Sequence, residues 1–319
     1  MGKRVLRAAV SSDIDTLHSI YQGHGLRASQ YSYVELRMGL ENFSAFLEPF
    51  GIKATLFMVG EDFLVRENHD AIRAVVRSGH EIANHTHTHA QGFRLLPPVD
   101  QEHEIAAMEA ACVDVAGRKP VGFRSPGWNM GDSAAAILQR RGYLYDSSVH
   151  PMSLTPLFKF LHWWNTPSRA PADRSTLGEW SYMFAPLRPY RSERGRLARP
   201  GSNGLVEFPL TVVPVLRGPF WATFLLATGL DVFRASYRAL KSLGYPIQYQ
   251  FHLSDFVDYD HPDLQGQVPR PTDGVYIPKS LMMPRSVKEP LFRAALEMIA
   301  CDYSFSTLEE WAGAADLQA

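Results

Sequence analysis

His80-Glu-Ile-Ala-Asn-His-Thr-His-Thr-His89 places four of the chain's twelve histidines within ten residues, after a run, His80 to Ala83, that reads as a strand. Neutral imidazole offers a nitrogen lone pair, which makes histidine the commonest metal ligand. His85 and His89 stand four apart, and on one turn of helix that spacing directs both rings to one side of the backbone. The competing readings are a solvated polar loop and an expression-tag remnant. The internal position and interleaved threonines do not fit a tag. Two histidines need a third ligand from elsewhere in the chain. His87 and His80 read as bystanders.

Upstream, Val5 to Ser11 reads as a short buried strand that runs into Asp13-Ile-Asp15. If that segment is extended, the two acids face one side, as one ligand and one base require. Their alternative is a turn at a strand end. Ser32 and Glu35 make a capping box before a helix through Leu47, and Ala54 to Gly60 is a buried strand. Asn68 caps a helix ended by Gly79. Downstream, a helix from about Asp100 to Ala116 precedes a strand, Val121 to Phe123, entering Arg124-Ser-Pro-Gly-Trp128. A helix from Asp132 to Arg141 then leads to a brief strand at Tyr145-Asp146. Val206 to Leu210 and Ile247 to Phe251 are strands around a helix near Asp231 to Leu243, and His252 follows at once. Ser286 with Glu289 and Thr307 with Glu310 make capping boxes for two late helices. Strands alternating with helices imply a parallel β/α fold, whose chemistry gathers beyond the strands' carboxyl ends. Asp13, Asp15, His85, His89, Arg124, Asp146 and His252 all stand there.

The bulk numbers narrow the class. A chain of 319 residues fits one domain, 1–319, if the fold is an α/β barrel, and a formal charge of -1 excludes a nucleic-acid surface. Cys112 lies on a helical stripe with Ile105, Met108, Val113 and Ala116, so a buried thiol in a reducing compartment is expected. The N-terminus lacks a signal-peptide core, and the longest uncharged apolar run, Gly218 to Leu230, is too short to span a bilayer. A cytoplasmic protein without a transmembrane segment is the expectation. One insertion, about 152–203, shows no periodicity and reads as a lid or binding loop. Its Phe158-Lys-Phe-Leu-His-Trp-Trp164 suits peripheral contact with a membrane interface.

Two histidines and a carboxylate around a divalent ion, with a position open for water, make a hydrolytic site, and a second carboxylate can take the proton as water attacks. The residues together resemble the polysaccharide deacetylases of the NodB-homology type, carbohydrate esterase family 4. His85-Thr-His-Thr-His89 matches the family's H-S/T-x-x-H motif, Arg124-Ser-Pro126 its R-x-P motif, and His252 its late histidine. The resemblance covers about Val5 to His252 and omits 152–203. It implies a distorted (β/α)7 barrel, metal ligation by Asp15, His85 and His89, and Asp13 as general base paired with Arg124. It further implies that the Gly127 amide stabilises the oxyanion and that His252, oriented by Asp146, protonates the leaving amine. The family's first motif has adjacent aspartates; here Ile14 separates them, which looks like the branch of certain peptidoglycan deacetylases, allantoinase-like amidohydrolases and aminoarabinose-lipid deformylases. Trp128 can stack on a sugar ring or belong to the core.

The expected function is removal of an N-acetyl or N-formyl group from an amino sugar, free, in a polysaccharide, or linked to phosphate or lipid. The metal is zinc, with cobalt, nickel or manganese as alternatives. Arg188, Arg191, Arg194, Arg196 and Arg199 offer guanidinium groups for a phosphate. The alternatives are opening of a small cyclic amide and a catalytically silent saccharide-binding protein. Oligomeric state is not legible.

Overall fold

The computed structural model describes residues 6–19, 33–153, 155–156, 160, 178–264, 283–314 and 317. Strands and helices alternate from the start: β1 (Leu6–Ile14), α1 (Tyr33–Leu47), β2 (Thr55–Met58), α2 (His69–Arg77), β3 (Glu81–Asn84), α3 (Pro98–Ala116), β4 (Gly122–Phe123), α4 (Asp132–Arg140) and β5 (Tyr145–Asp146). A hairpin, β6 (Tyr190–Glu193) and β7 (Arg196–Pro200), precedes β8 (Val206–Glu207) and the small pair β9 (Val212–Val213) and β10 (Gly218–Pro219). Helices α5 (Ala222–Thr228) and α6 (Leu230–Ser242) lead to β11 (Ile247–His252), followed by α7 (Arg285–Ala300), β12 (Tyr303–Phe305) and α8 (Leu308–Ala312).

Seven strands run parallel in the order β11, β1, β2, β3, β4, β5, β8, with β6 antiparallel on the outer side of β8 and β12 beside β1. Among the described residues no backbone ladder joins β8 to β11. The sheet nevertheless curls on itself, because the Gln248 amide N–H of β11 donates to Thr211 Oγ1 at 2.8 Å, just beyond β8. The Gln248 side chain meets the Ser147 hydroxyl at 2.8 Å and, with its oxygen turned inward, the Arg124 guanidinium at 2.5 Å. The chain has the expected distorted (β/α)7 barrel, with an open seam.

Side-chain alternation sorts β1 into two faces. Ala8 and Val10 pack outward with Leu36, Leu40, Phe43 and Ile72 of the helices. Ala9 turns inward with Phe57, Ala83, Tyr145, Phe208 and Trp311, so that α8 plugs the barrel floor. Glu81 fastens that floor: it accepts hydrogen bonds from Thr55 Oγ1 (2.6 Å), Tyr145 Oη (2.6 Å) and the Glu309 amide (3.0 Å). The Thr307–Glu310 capping box forms as expected.

The other capping expectations fail or fall outside the described residues. Pro284 precedes α7 and Ser286 lies inside it, without a side-chain cap. Asn68 makes no cap because its amide donates to the Asp62 carbonyl at 2.8 Å. Ser32 lies outside the described residues, and Glu35 serves another purpose, taken up below. Most of Phe158 to Trp164 also lies outside them, as does much of the expected lid. The insertion is not wholly aperiodic: Tyr190 and Ser192 are buried and Arg191 and Glu193 exposed, the alternation of a half-buried strand. Two of the arginines expected to meet a phosphate have carbonyl partners instead. Arg188 donates to the Gly244 and Leu243 carbonyls ahead of β11, and Arg191 to Gly204 O ahead of β8, at the barrel end opposite the histidines. Arg194, Arg196 and Arg199 ride on the same hairpin.

Candidate active site

Alternation along β1 carries Asp13 into the barrel, where Arg124 meets it. Arg124 is fully buried, donates from Nη1 to Asp13 Oδ1 at 2.5 Å and from Nε to Ser147 O at 2.9 Å, and stacks over Phe57 at 3.9 Å. A buried guanidinium without a counter-charge is strongly destabilising, so the pair is one unit. The second Asp13 oxygen accepts from Gln250 Nε2 at 2.7 Å.

His85 and His89 do not share a helical turn. They occupy a loop beyond β3 in which Thr86 and His89 take positive φ, 67° and 55°, and this reversal brings the rings to 5.2 Å. Such non-glycine conformations need external support. Asn84 Oδ1 accepts the Thr86 amide at 2.8 Å, and Glu104 of α3 accepts from the His87 amide (2.9 Å), the Thr88 amide (2.8 Å) and Thr88 Oγ1 (2.9 Å). Gly60 packs so close that a Cβ would sit 2.9 Å from His87 Cα, which explains glycine there. His85 Nδ1 lies 2.7 Å from the Arg124 carbonyl, an acceptor, so Nδ1 carries the proton and Nε2 presents its lone pair.

Asp15 Oδ1 lies 3.3 Å from both His85 Nε2 and His89 Nε2, and the three are the one group of potential metal ligands gathered among the described residues. Asp15 Oδ1 is buried but has no hydrogen-bond partner. Three acceptor atoms facing one point, with no proton satisfying them, fit a divalent cation, and two nitrogens with one oxygen suit zinc or its neighbours. Burial works to raise the Asp15 carboxyl, but His89 and His85 outweigh it and hold the group well below the usual carboxylate range. Glu35 braces this segment: it accepts the Leu17 amide at 2.9 Å and the Tyr259 hydroxyl at 2.8 Å, and burial lifts its pKa to about 7.

His87 is half-buried and outside the ligand group, and the His80 ring accepts the Ala54 amide at 3.0 Å, so both stand apart from the site. Gly127, φ 57°, and Trp128, φ 55°, form the turn that follows Arg124. Its geometry is set partly by Ser148, whose hydroxyl accepts the Ser125 amide at 2.9 Å.

Asp146 is placed differently from the expectation. Tyr145 and Ser147 point into the barrel, so Asp146 between them points out. It accepts the Ser148 amide (2.8 Å) and hydroxyl (2.9 Å); burial raises its carboxyl to about 6 against a hydrogen bond with Glu207 that lowers it, and burial together with the Asp146 charge holds Glu207 well above the usual carboxylate range. Its partner is therefore the Arg124 turn, through Ser148. The carboxylate beside His252 is Asp255, which accepts the His252 amide at 2.9 Å while the His252 ring accepts the Asp255 amide. Sequence reasoning missed Glu35, Glu104, Glu207 and Asp255. Glu207 alone carried a signal, as a charge inside an apolar strand.

Residues 37–145 match the polysaccharide deacetylase family model. The peptidoglycan deacetylase-like protein FGM2 of Gibberella zeae is 28% identical over 199 residues, 55% of this chain and 57% of that protein. A peptidoglycan deacetylase of Helicobacter pylori is 21% identical over 121 residues, 38% of this chain and 40% of its own length. The chain thus spans 57% and 40% of these curated relatives. A candidate polysaccharide deacetylase of Mycobacterium smegmatis shares the fold over 98% of this chain and 91% of its own, with TM-score 0.59 and 18% identity. A 4-α-glucanotransferase of Thermococcus litoralis does so too, over 96% of this chain and 40% of its own, with TM-score 0.54 and 12% identity, so fold alone does not fix the chemistry. The stretch that matches the polysaccharide deacetylase family model, residues 37–145, includes the histidine loop and the Arg124 turn, and over that stretch the chain is similar to this family.

Proposed function

We propose that this protein hydrolyses the N-acyl amide of an amino sugar, releasing acetate or formate and a free amine. One observation carries the reading: an Asp-His-His ligand group and a carboxylate–guanidinium pair, Asp13–Arg124, stand together at the carboxyl end of one barrel. Asp15, His85 and His89 would hold a divalent ion, which would supply Lewis acidity and lower the pKa of water there. Asp13 removes the proton as water attacks, and Arg124 fixes the orientation of its carboxylate. The Gly127 amide offers a donor to the developing oxyanion. His252, one ring nitrogen occupied by the Asp255 amide, presents the other to the departing amine.

Free Cys112, buried as expected, and free Cys301 suit a reducing compartment, so the substrate we favour is a cytoplasmic saccharide precursor. Among the described residues no helix is long and apolar enough to cross a membrane. The decisive experiment is metal analysis of the purified protein together with assay of acetate and formate release from free, nucleotide-linked and polyprenyl-linked amino sugars. Zinc-dependent release from one class is the expected result. A metal-free protein inert on all of them sinks the proposal, and turnover of a cyclic amide without acid release moves the chain to ring opening.

A further inference from the structure

His150 plays no part in that chemistry. It is fully buried, yet neither ring nitrogen has a hydrogen-bond partner among the described residues. Buried polar groups are paired almost without exception, so two unmet nitrogens on one ring call for a ligand. Two indoles cover it: the Trp221 ring lies 4.8 Å from the imidazole at 58°, and the Trp128 ring 5.3 Å away at 50°. The tryptophans are 6.0 Å apart and half-buried, and Trp128 Nε1 also lacks a partner.

The three rings come from three separate segments, all at the catalytic end. Trp128 belongs to the turn after Arg124, His150 follows β5, and Trp221 precedes α5. The backbone around His150 is pinned, with Met152 N donating to His150 O at 2.9 Å and Leu210 N to Val149 O at 3.0 Å. The indoles are the partly exposed members of the cluster. Burial pushes the His150 pKa down to about 3, so the ring is neutral and offers one donor and one acceptor.

We propose that Trp128, His150 and Trp221 form a saccharide subsite, in which an uncharged pyranose lies against an indole face and its hydroxyl or amide groups bond to the His150 nitrogens. Aromatic faces with a few fixed polar atoms are the usual composition of a small-molecule site, and a neutral ring between two indoles gives an anion no counter-charge. The sugar bound here is the neighbour of the residue losing its acyl group, which makes the protein favour a precursor of two or more linked sugars over a single one. The identity of this ligand rests on the deacylase reading; the unmet nitrogens do not.

The test titrates the full chain, with and without zinc, with N-acetylglucosamine and with its tetramer, followed by indole fluorescence and calorimetry. The tetramer is expected to bind more tightly than the monomer. His150→Phe keeps the ring volume and removes both nitrogens; it is expected to weaken tetramer binding about tenfold, the worth of a hydrogen bond. KM for acyl release from the tetramer should rise equally, with kcat and zinc affinity unchanged. Trp221→Leu, at a half-exposed position, should act in the same direction, and nitrogen NMR of wild-type His150 should shift on adding tetramer. Unchanged tetramer binding in either folded variant, or an imidazole spectrum indifferent to the sugar, overturns the subsite. Weakened binding in the variants, with no acyl group released by the wild type, supports the subsite and sinks the deacylase reading alone.

Discussion

At the scale of single residues, the site depends on separating two carboxylates that stand two positions apart. Asp13 faces a guanidinium and Asp15 faces two imidazoles, so in the proposed reaction the first would move a proton and the second would hold the cation. Asp13→Asn is therefore expected to leave zinc affinity intact in equilibrium dialysis while acyl release falls about 10²- to 10⁴-fold. Loss of zinc in that variant would mean that the two roles are reversed. The substitution also leaves Arg124 buried without a counter-charge, and a drop in stability of about 3 kcal/mol is expected in urea titrations. Asp13, Asp15, His85, Arg124 and His252 were legible in the sequence because each combines a reactive side chain with a strand end. Asp146 was misread because a strand of two residues hides its phase; only the inward Tyr145 and Ser147 reveal that it faces out. Glu104 was not legible at all, since its contacts with the histidine loop span 17 positions and no local pattern records them.

At the scale of elements, that loop is held by a helix. Glu104→Ala removes three acceptor contacts from the segment bearing both histidines while touching neither ring. Loss of such a ligand-orienting contact is expected to cost about 10- to 100-fold in zinc affinity with secondary structure unchanged by circular dichroism. A second joint lies at the barrel floor, where Glu81 ties β3 to β2, β5 and α8. Burial raises its pKa from the ordinary 4.5 to about 7. The folded state therefore holds the proton more tightly than the unfolded chain, and the stability linked to it is full below pH 4.5 and lost as pH rises through 7. The wild type is expected to lose up to about 3 kcal/mol relative to Glu81→Gln between pH 5 and pH 8. Parallel pH profiles for the two proteins would show that Glu81 titrates normally.

At the scale of the molecule, alternation of strands and helices was enough to anticipate a β/α barrel, because each strand ended in a recognisable turn or polar residue. The closure was not legible, since it depends on a glutamine reaching a threonine 37 positions away and no pairing pattern foretells it. That seam also determines how the barrel should come apart. Asp13, the histidine loop, Arg124 and His252 all belong to the continuous ladder from β11 to β4, and the gap between β8 and β11 falls outside it. In native-state hydrogen exchange, amides of β8 and of Gln248 should open at lower free energy than those of β1 and β2. Uniform protection around the ring would show that the seam is no weaker than a ladder. Because Gln248 at that seam also meets the Arg124 guanidinium, the first loosening of the barrel should be felt at Arg124 before it reaches the histidine loop, and loss of activity will then precede loss of the cation.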